Sequence, residues 1–362
     1  MGFKCGIIGL PNVGKSTLFN LLTKSNSAVA NFPFCTIKPN VGIVPVVDKR
    51  IDHLAKILSP KKIIHAAIEF IDIAGLVKGA SQGEGLGNQF LNNIRETHAI
   101  AHVIRCFKND NITHIYNKIE PIRDIDIINT ELILSDFDLC EKTILQLQKK
   151  IILKNKDAEK KIYVLQKCMN HLKNFHMLTN LDLNQDEKKV INYLNFLTLK
   201  PTMYIANVNE EKESDYFLNE LYKKANKENA TVVPIYANLE LDLLKMNYEE
   251  QNSFMEAFNI KILSLQKIIS SGYQLLNLIT FFTAGKKEIR AWPILNGSTS
   301  IQAAHKIHSD FSKGFIRAQI IKYVDFIKYK SESKIKEMGK MKIEGKEYYI
   351  QDGDIIHFLF NI

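Results

Sequence analysis

The 362 residues exceed what one compact core usually holds and fit two or three domains. A hydrophobic share of 46% beside 24% charged residues, with no run approaching the roughly eighteen uncharged apolar residues of a bilayer span, describes a soluble globular chain and excludes a helical membrane protein. The net charge of +9 favours a polyanionic partner, although Ile, Lys and Asn are abundant throughout and coding bias explains the basicity as well.

Met1 to Gly6 lacks the charged-then-apolar profile of a cleavable signal, and Gly6 stands where a myristoylation signal has Ser or Thr, so a cytoplasmic location is expected. The five cysteines, Cys5, Cys35, Cys106, Cys140 and Cys168, form no C-x-x-C pair and read as reduced thiols. An apolar run, Phe3 to Ile8, leads into Gly9-Leu10-Pro11-Asn12-Val13-Gly14-Lys15-Ser16 and then Thr17-Leu18-Phe19-Asn20. A strand, G-x-x-x-x-G-K-S and a helix make a phosphate cradle: backbone N–H groups from Asn12 to Thr17 face the oxyanions, Lys15 neutralises charge and Ser16 ligates Mg²⁺. The chain is expected to bind a nucleoside triphosphate.

The apolar runs Ile63 to Ile71, Ala101 to Phe107, Pro201 to Ala206 and Val232 to Tyr236 alternate with helical segments, which predicts a mostly parallel α/β sheet with ligands at the strands' carboxyl ends. Asp72-x-x-Gly75 closes the first of these runs, where the Asp holds the Mg²⁺ shell and the Gly N–H senses the γ-phosphate. Between the two motifs, Thr36 in Asn31-Phe32-Pro33-Phe34-Cys35-Thr36 is the candidate switch residue that completes the metal shell. After Gly75 comes Leu76, which cannot orient a water as the Gln of Ras-like enzymes does. His114, in a polar stretch, is the candidate to position the water, against the plainer reading of a solvated loop His. Asn12 offers another route, by ligating a monovalent cation at the transition state.

From Thr130 to about Leu199 the pattern changes. Ile133, Phe137, Cys140, Ile144 and Leu147, then Ala158, Ile162, Leu165, Met169 and Leu172, repeat by threes and fours around the polar break Lys154 to Asp157. This predicts an antiparallel helical hairpin inserted at 131–199 into a nucleotide domain of residues 1–130 and 200–277. Behind the strand at 201–206, Asn207-Val208-Asn209-Glu210 occupies the base-reading position. Guanine readers of this type use Asn-Lys-x-Asp; Val208 replaces the Lys and Glu210 displaces the carboxylate by one methylene, which favours adenine. The remaining residues, 278–362, read as a small α+β domain, with strands at 281–283, 288–292, 318–323, 347–350 and 355–360 and a helix at 300–308.

These motifs, with Asp72-Ile73-Ala74-Gly75-Leu76-Val77-Lys78-Gly79-Ala80, resemble those of the Obg-related P-loop NTPases of the TRAFAC class, and more narrowly the YchF-type Obg-like ATPases. Phe282-Thr283-Ala284-Gly285, Lys313-Gly314-Phe315-Ile316-Arg317-Ala318 and Gln351-Asp352-Gly353-Asp354 are similar to the TGS β-grasp domain of that family. The resemblance implies ATP hydrolysis with Mg²⁺, stimulation by K⁺, association with the ribosome and its RNA, and a catalytic part for His114. A monomer is expected, with neither DNA nor membrane as partner. Two alternatives stay open: a GTP-hydrolysing switch of Obg type, and a binding module locked by nucleotide with incidental turnover.

Overall fold

The computed structural model describes residues 3–24, 40–73, 86–151, 156–257 and 263–361. In chain order come β1 (Phe3–Ile8), α1 (Lys15–Lys24), β2 (Val41–Pro45), α2 (Lys49–Leu58), β3 (Lys62–Ile64), β4 (Ala67–Asp72), α3 (Leu86–Arg95) and β5 (Ala99–Arg105). The long helices α4 (Pro121–Ile151) and α5 (Lys156–Lys173) follow, then α6 (Gln185–Ile191), β6 (Thr202–Asn207), α7 (Lys212–Glu228) and β7 (Thr231–Ile235). Next are α8 (Ala237–Leu243), α9 (Tyr248–Ala257), α10 (Ser264–Leu275), β8 (Leu278–Ala284), β9 (Glu288–Leu295) and α11 (Ser300–Ile307). The chain closes with α12 (Ser309–Lys313), β10 (Phe315–Lys322), α13 (Tyr323–Tyr329), α14 (Glu332–Glu337), β11 (Lys342–Glu344) and β12 (Asp354–Phe360).

The strands among the described residues form two six-stranded sheets. The first has the order β2-β4-β1-β5-β6-β7 and is parallel except for the antiparallel edge β2. Its centre, β5, is buried at every position, as a strand covered by helices on both faces must be. The carboxyl ends of β1 and β5 part where the strand order reverses, and this is the crevice in which doubly wound sheets hold ligands.

The heptad seam does what its spacing requires. Ile133, Cys140, Ile144 and Leu147 of α4 share one buried cluster with Ala158, Ile162, Leu165, Cys168 and Leu172 of α5. α4 begins at Pro121, earlier than the change in periodicity suggests, because Ile128 and Leu132 pack on the sheet's core while Ile133 starts the hairpin's own. Among the described residues no helix is long and apolar enough to cross a membrane.

Two predicted strands differ. The run Ile63 to Ile71 is not one strand: β3 pairs in parallel with β9 of the second sheet, whereas β4 pairs with β1 and β2. The chain changes sheets at His65 and Ala66, and Ala66 is buried in the core beneath the second sheet. Residues 347–350 make only an isolated bridge, Thr299 to Tyr349, since the second sheet's order, β11-β10-β12-β8-β9-β3, leaves that segment outside its ladders.

Candidate nucleotide-binding site

The cradle is built by backbone geometry. Gly14 adopts φ of +103°, and a Cβ there would lie 2.4 Å from Asn207 Nδ2, so both conformation and space demand glycine. The Asn207 amide donates to the Val13 carbonyl at 3.0 Å and ties the end of β6 to the loop. Leu18 N–H donates to Gly14 O at 2.9 Å, starting α1 with its amino end toward the cavity. Asn12, Gly14, Lys15, Ser16, Thr17 and Asn207 line one cavity of about 290 Å³, together with Phe107, Ile112 and Asn238. The Val13 side chain is buried in the core, leaving its backbone for the cradle.

Lys15 is largely buried, and its ammonium donates to Leu10 O at 2.7 Å. Burial lowers its pKa to about 8, while the Asp72 charge opposes the shift. Burial also raises the Asp72 pKa, against the attraction of Lys15 and a hydrogen bond from Ser16. Asp72 Oδ1 is buried with no hydrogen-bond partner among the described residues. An orphaned carboxylate oxygen beside a serine hydroxyl is the hard oxygen donor set that a divalent cation such as Mg²⁺ takes, so these residues fit the expected metal. Thr36 and Gly75, expected at the metal and the γ-phosphate, lie outside the described residues, as do Cys35 and Leu76.

His114 is 5% exposed and absent from the cavity wall. Its Nδ1 accepts from Tyr116 N–H at 3.3 Å, which places the ring proton on Nε2, 2.9 Å from Asp124 Oδ2. Burial raises the Asp124 pKa against the pull of His114, and Asp124 Oδ1 has no partner among the described residues. The loop carrying His114 nevertheless touches the cradle, for Asn12 Nδ2 donates to Thr113 O at 3.1 Å.

At the base-reading end, Val208 points away from the cavity into a core cluster with Leu221 and Ala225. Glu210 is exposed and does not line the cavity. Asn209 accepts from Glu211 N–H at 3.2 Å and thereby shapes the turn. The sequence reading missed Phe107, Ile112 and the partnership of His114 with Asp124. A visible signal lay nearby: Arg105, a cation at the end of an otherwise apolar strand, must find acceptors if that strand is central.

The comparisons agree over the whole chain. A family model described as a 50S ribosome-binding GTPase matches residues 4–167, and a YchF GTPase C-terminal model, described as a protein of unknown function, matches residues 278–361. A protein named ribosome-binding ATPase YchF from Buchnera aphidicola (subsp. Acyrthosiphon pisum) is 77% identical over 362 residues, all of both chains. The chain belongs to the YchF family. The Escherichia coli O157:H7 protein of the same name is 57% identical over 363 residues, again spanning 100% of each chain. The YchF fold extends to a solved structure, that of the Schizosaccharomyces pombe YchF GTPase, which is 36% identical, covers 99% of this chain and 98% of that one, and has a TM-score of 0.87. As a member of the YchF family with a matching P-loop domain, this is a nucleotide-binding hydrolase with a mixed α/β fold.

Proposed function

We propose that the protein is a cytoplasmic, ribosome-associated ATPase that prefers ATP to GTP. The observation that carries the nucleotide reading is one cavity lined both by Gly14, Lys15, Ser16 and Thr17 and by Phe107, Asn207 and Asn238. The first group suits a triphosphate and the second a planar, polar-edged base. Bound Mg²⁺ would neutralise charge between the outer phosphates; Ser16, Asp72 and, by the sequence reading, Thr36 are the residues to hold it.

The preference for adenine is supported by what the base-reading segment lacks. A guanine site needs an inward carboxylate with two acceptor oxygens, and here Glu210 is exposed while Val208 is committed to the core. Lys15 and the α1 amino end stabilise charge developing on the phosphates. His114 is the proposed group to position the attacking water, which requires its imidazole to leave Asp124 and turn toward the cavity. Asn12 is the proposed ligand for K⁺.

Ribosome association is supported by the names of the relatives and by exposed lysines on the hairpin, Lys149, Lys160 and Lys173 among them, which suit ribosomal RNA. A monomer is proposed; no DNA or membrane partner is. The GTP alternative draws on the ribosome-binding GTPase model that matches residues 4–167 and on the naming of the fission-yeast relative as a GTPase. Titration calorimetry of the purified chain with ATP, GTP, CTP and UTP in Mg²⁺ decides between them. ATP binding at least tenfold tighter than GTP is expected; equal affinity overturns the preference, and tighter GTP binding establishes the alternative.

A further inference from the structure

Arg105 is among the largest fully buried side chains among the described residues, at 1% exposure, yet it pairs with no carboxylate at ion-pair distance in the described residues. Each of its three nitrogens donates to one loop. Nε donates to Phe107 O at 3.1 Å, Nη2 to Asn109 O at 2.9 Å and Nη1 to Ile112 O at 2.9 Å. The guanidinium also lies 4.9 Å from the centroid of the Phe107 ring. Burying a guanidinium is costly, and three charge-assisted hydrogen bonds at such distances are what offset that cost.

The target of the fork matters more than its strength. Phe107 and Ile112, whose carbonyls Arg105 holds, both line the nucleotide cavity. Thr113, the next residue, is held by Asn12 of the cradle, and His114 follows it. Residues 107–113 are therefore shaped from inside by a cation at the end of β5 and hooked to the phosphate loop at their far end. The ends of β5 and β6 are also joined, through Cys106 N–H to Asn207 O at 2.8 Å, so the fork stands on the sheet rather than on another loop. A lysine cannot reproduce this, since one ammonium reaches three divergent carbonyls poorly.

We propose that Arg105 is a positioning residue for the base side of the nucleotide site, holding Phe107 and Ile112 where the base of the triphosphate packs. The inference rests on the nucleotide reading above and adds to it a division of labour. The cradle of Gly14 to Thr17 binds phosphates without help from Arg105; the wall that meets the base depends on it.

The division is what calorimetry on the full-length chain tests, with ATP and inorganic tripolyphosphate as separate probes in Mg²⁺. Arg105→Lys, which keeps the buried charge, and Arg105→Met, which keeps the length, are each expected to weaken ATP about tenfold or more while changing tripolyphosphate less than twofold. Phe107→Ala should give a similar loss for ATP, and combining it with Arg105→Lys should add little, because both remove the same wall. Equal losses for the two probes would make Arg105 a general structural residue and overturn the proposal; so would unchanged ATP affinity. If neither Arg105 variant folds, hydrogen exchange on the unaltered protein decides. Slowed exchange at 109–114 supports an anchored loop, and exchange at the rate of an unstructured peptide refutes it. Failure of the unaltered protein to bind ATP would instead refute the underlying nucleotide reading.

Discussion

Lys15 is where burial and function meet most directly. Its folded pKa of about 8 lies below the unfolded value of about 10.4, so between those values the unfolded chain binds more protons and stability rises with pH. A polyphosphate beside the amine reverses the preference, because a nearby anion favours the ammonium. ATP binding near pH 8 should therefore take up roughly half a proton through Lys15, and close to none at pH 6.5, where the amine is already charged. Calorimetry in buffers of different ionisation enthalpy reads the uptake. The same uptake at both pH values would contradict the burial of this amine.

The hairpin's root shows how an element is held to the sheet. Asp136 of α4, fully buried, accepts from Thr198 N–H and Oγ1, both at 2.8 Å, and its other oxygen lies 3.2 Å from Arg95 Nη2 at the end of α3. Lys200 donates to the carbonyls of Arg95 and Thr97, closing the last turn of α3. Helix α3 is the next described helix after Asp72 in the chain, so the hairpin is fastened to the element that follows β4. Asp136→Ala leaves the Thr198 N–H and hydroxyl without their acceptor and removes the charge beside Arg95, whose Nη2 keeps its hydrogen bond to Ser135 Oγ, and should cost about 3 kcal/mol, measured as a lower urea midpoint at unchanged slope. A loss below about 1 kcal/mol would mean that the network contributes little beyond packing. The same root explains why α4 runs past the boundary suggested by its periodicity: one helix serves two cores.

At the scale of the molecule, the two sheets do not belong to separate bodies. Ile51, Leu54 and Ala66, from the crossover between β2 and β4, share a core with Phe282, Ile289, Ile321, Phe326 and Ile355 of the C-terminal segment. β3 completes the second sheet, and Arg50 bridges Asp48 and Asp352 at 2.8 and 2.7 Å. That crossover leaves β2 at Pro45, opposite Ala67, and Asp72 lies at the other end of β4 beside Ile7, so the C-terminal domain is built onto the edge of the nucleotide sheet away from the phosphate loop. Ending the chain before Leu278 should expose Ile51 and Leu54, bind a hydrophobic dye and lower the midpoint of thermal unfolding by several degrees. The full chain should melt in one calorimetric transition; two separate transitions, with the truncated chain reproducing one of them, would refute the shared core.

Short-range chemistry was legible in the sequence alone. The strand, cradle and helix around Gly14 and Lys15, and the hairpin seam from Ile133 to Leu172, follow from spacing, because backbone geometry and helical period act over a few residues. The sheet exchange at His65, the acceptors of Arg105 and the pairing of His114 with Asp124 were not legible, since each depends on groups brought together from other strands or helices. A sequence states which side chains need partners; only the tertiary structure, by closing sheets and helices over them, decides who the partners are. Thus the strand, loop and helix of the phosphate cradle follow from local pattern, whereas the conformation of residues 107–112 depends on a buried cation whose acceptors come from the folded loop around it.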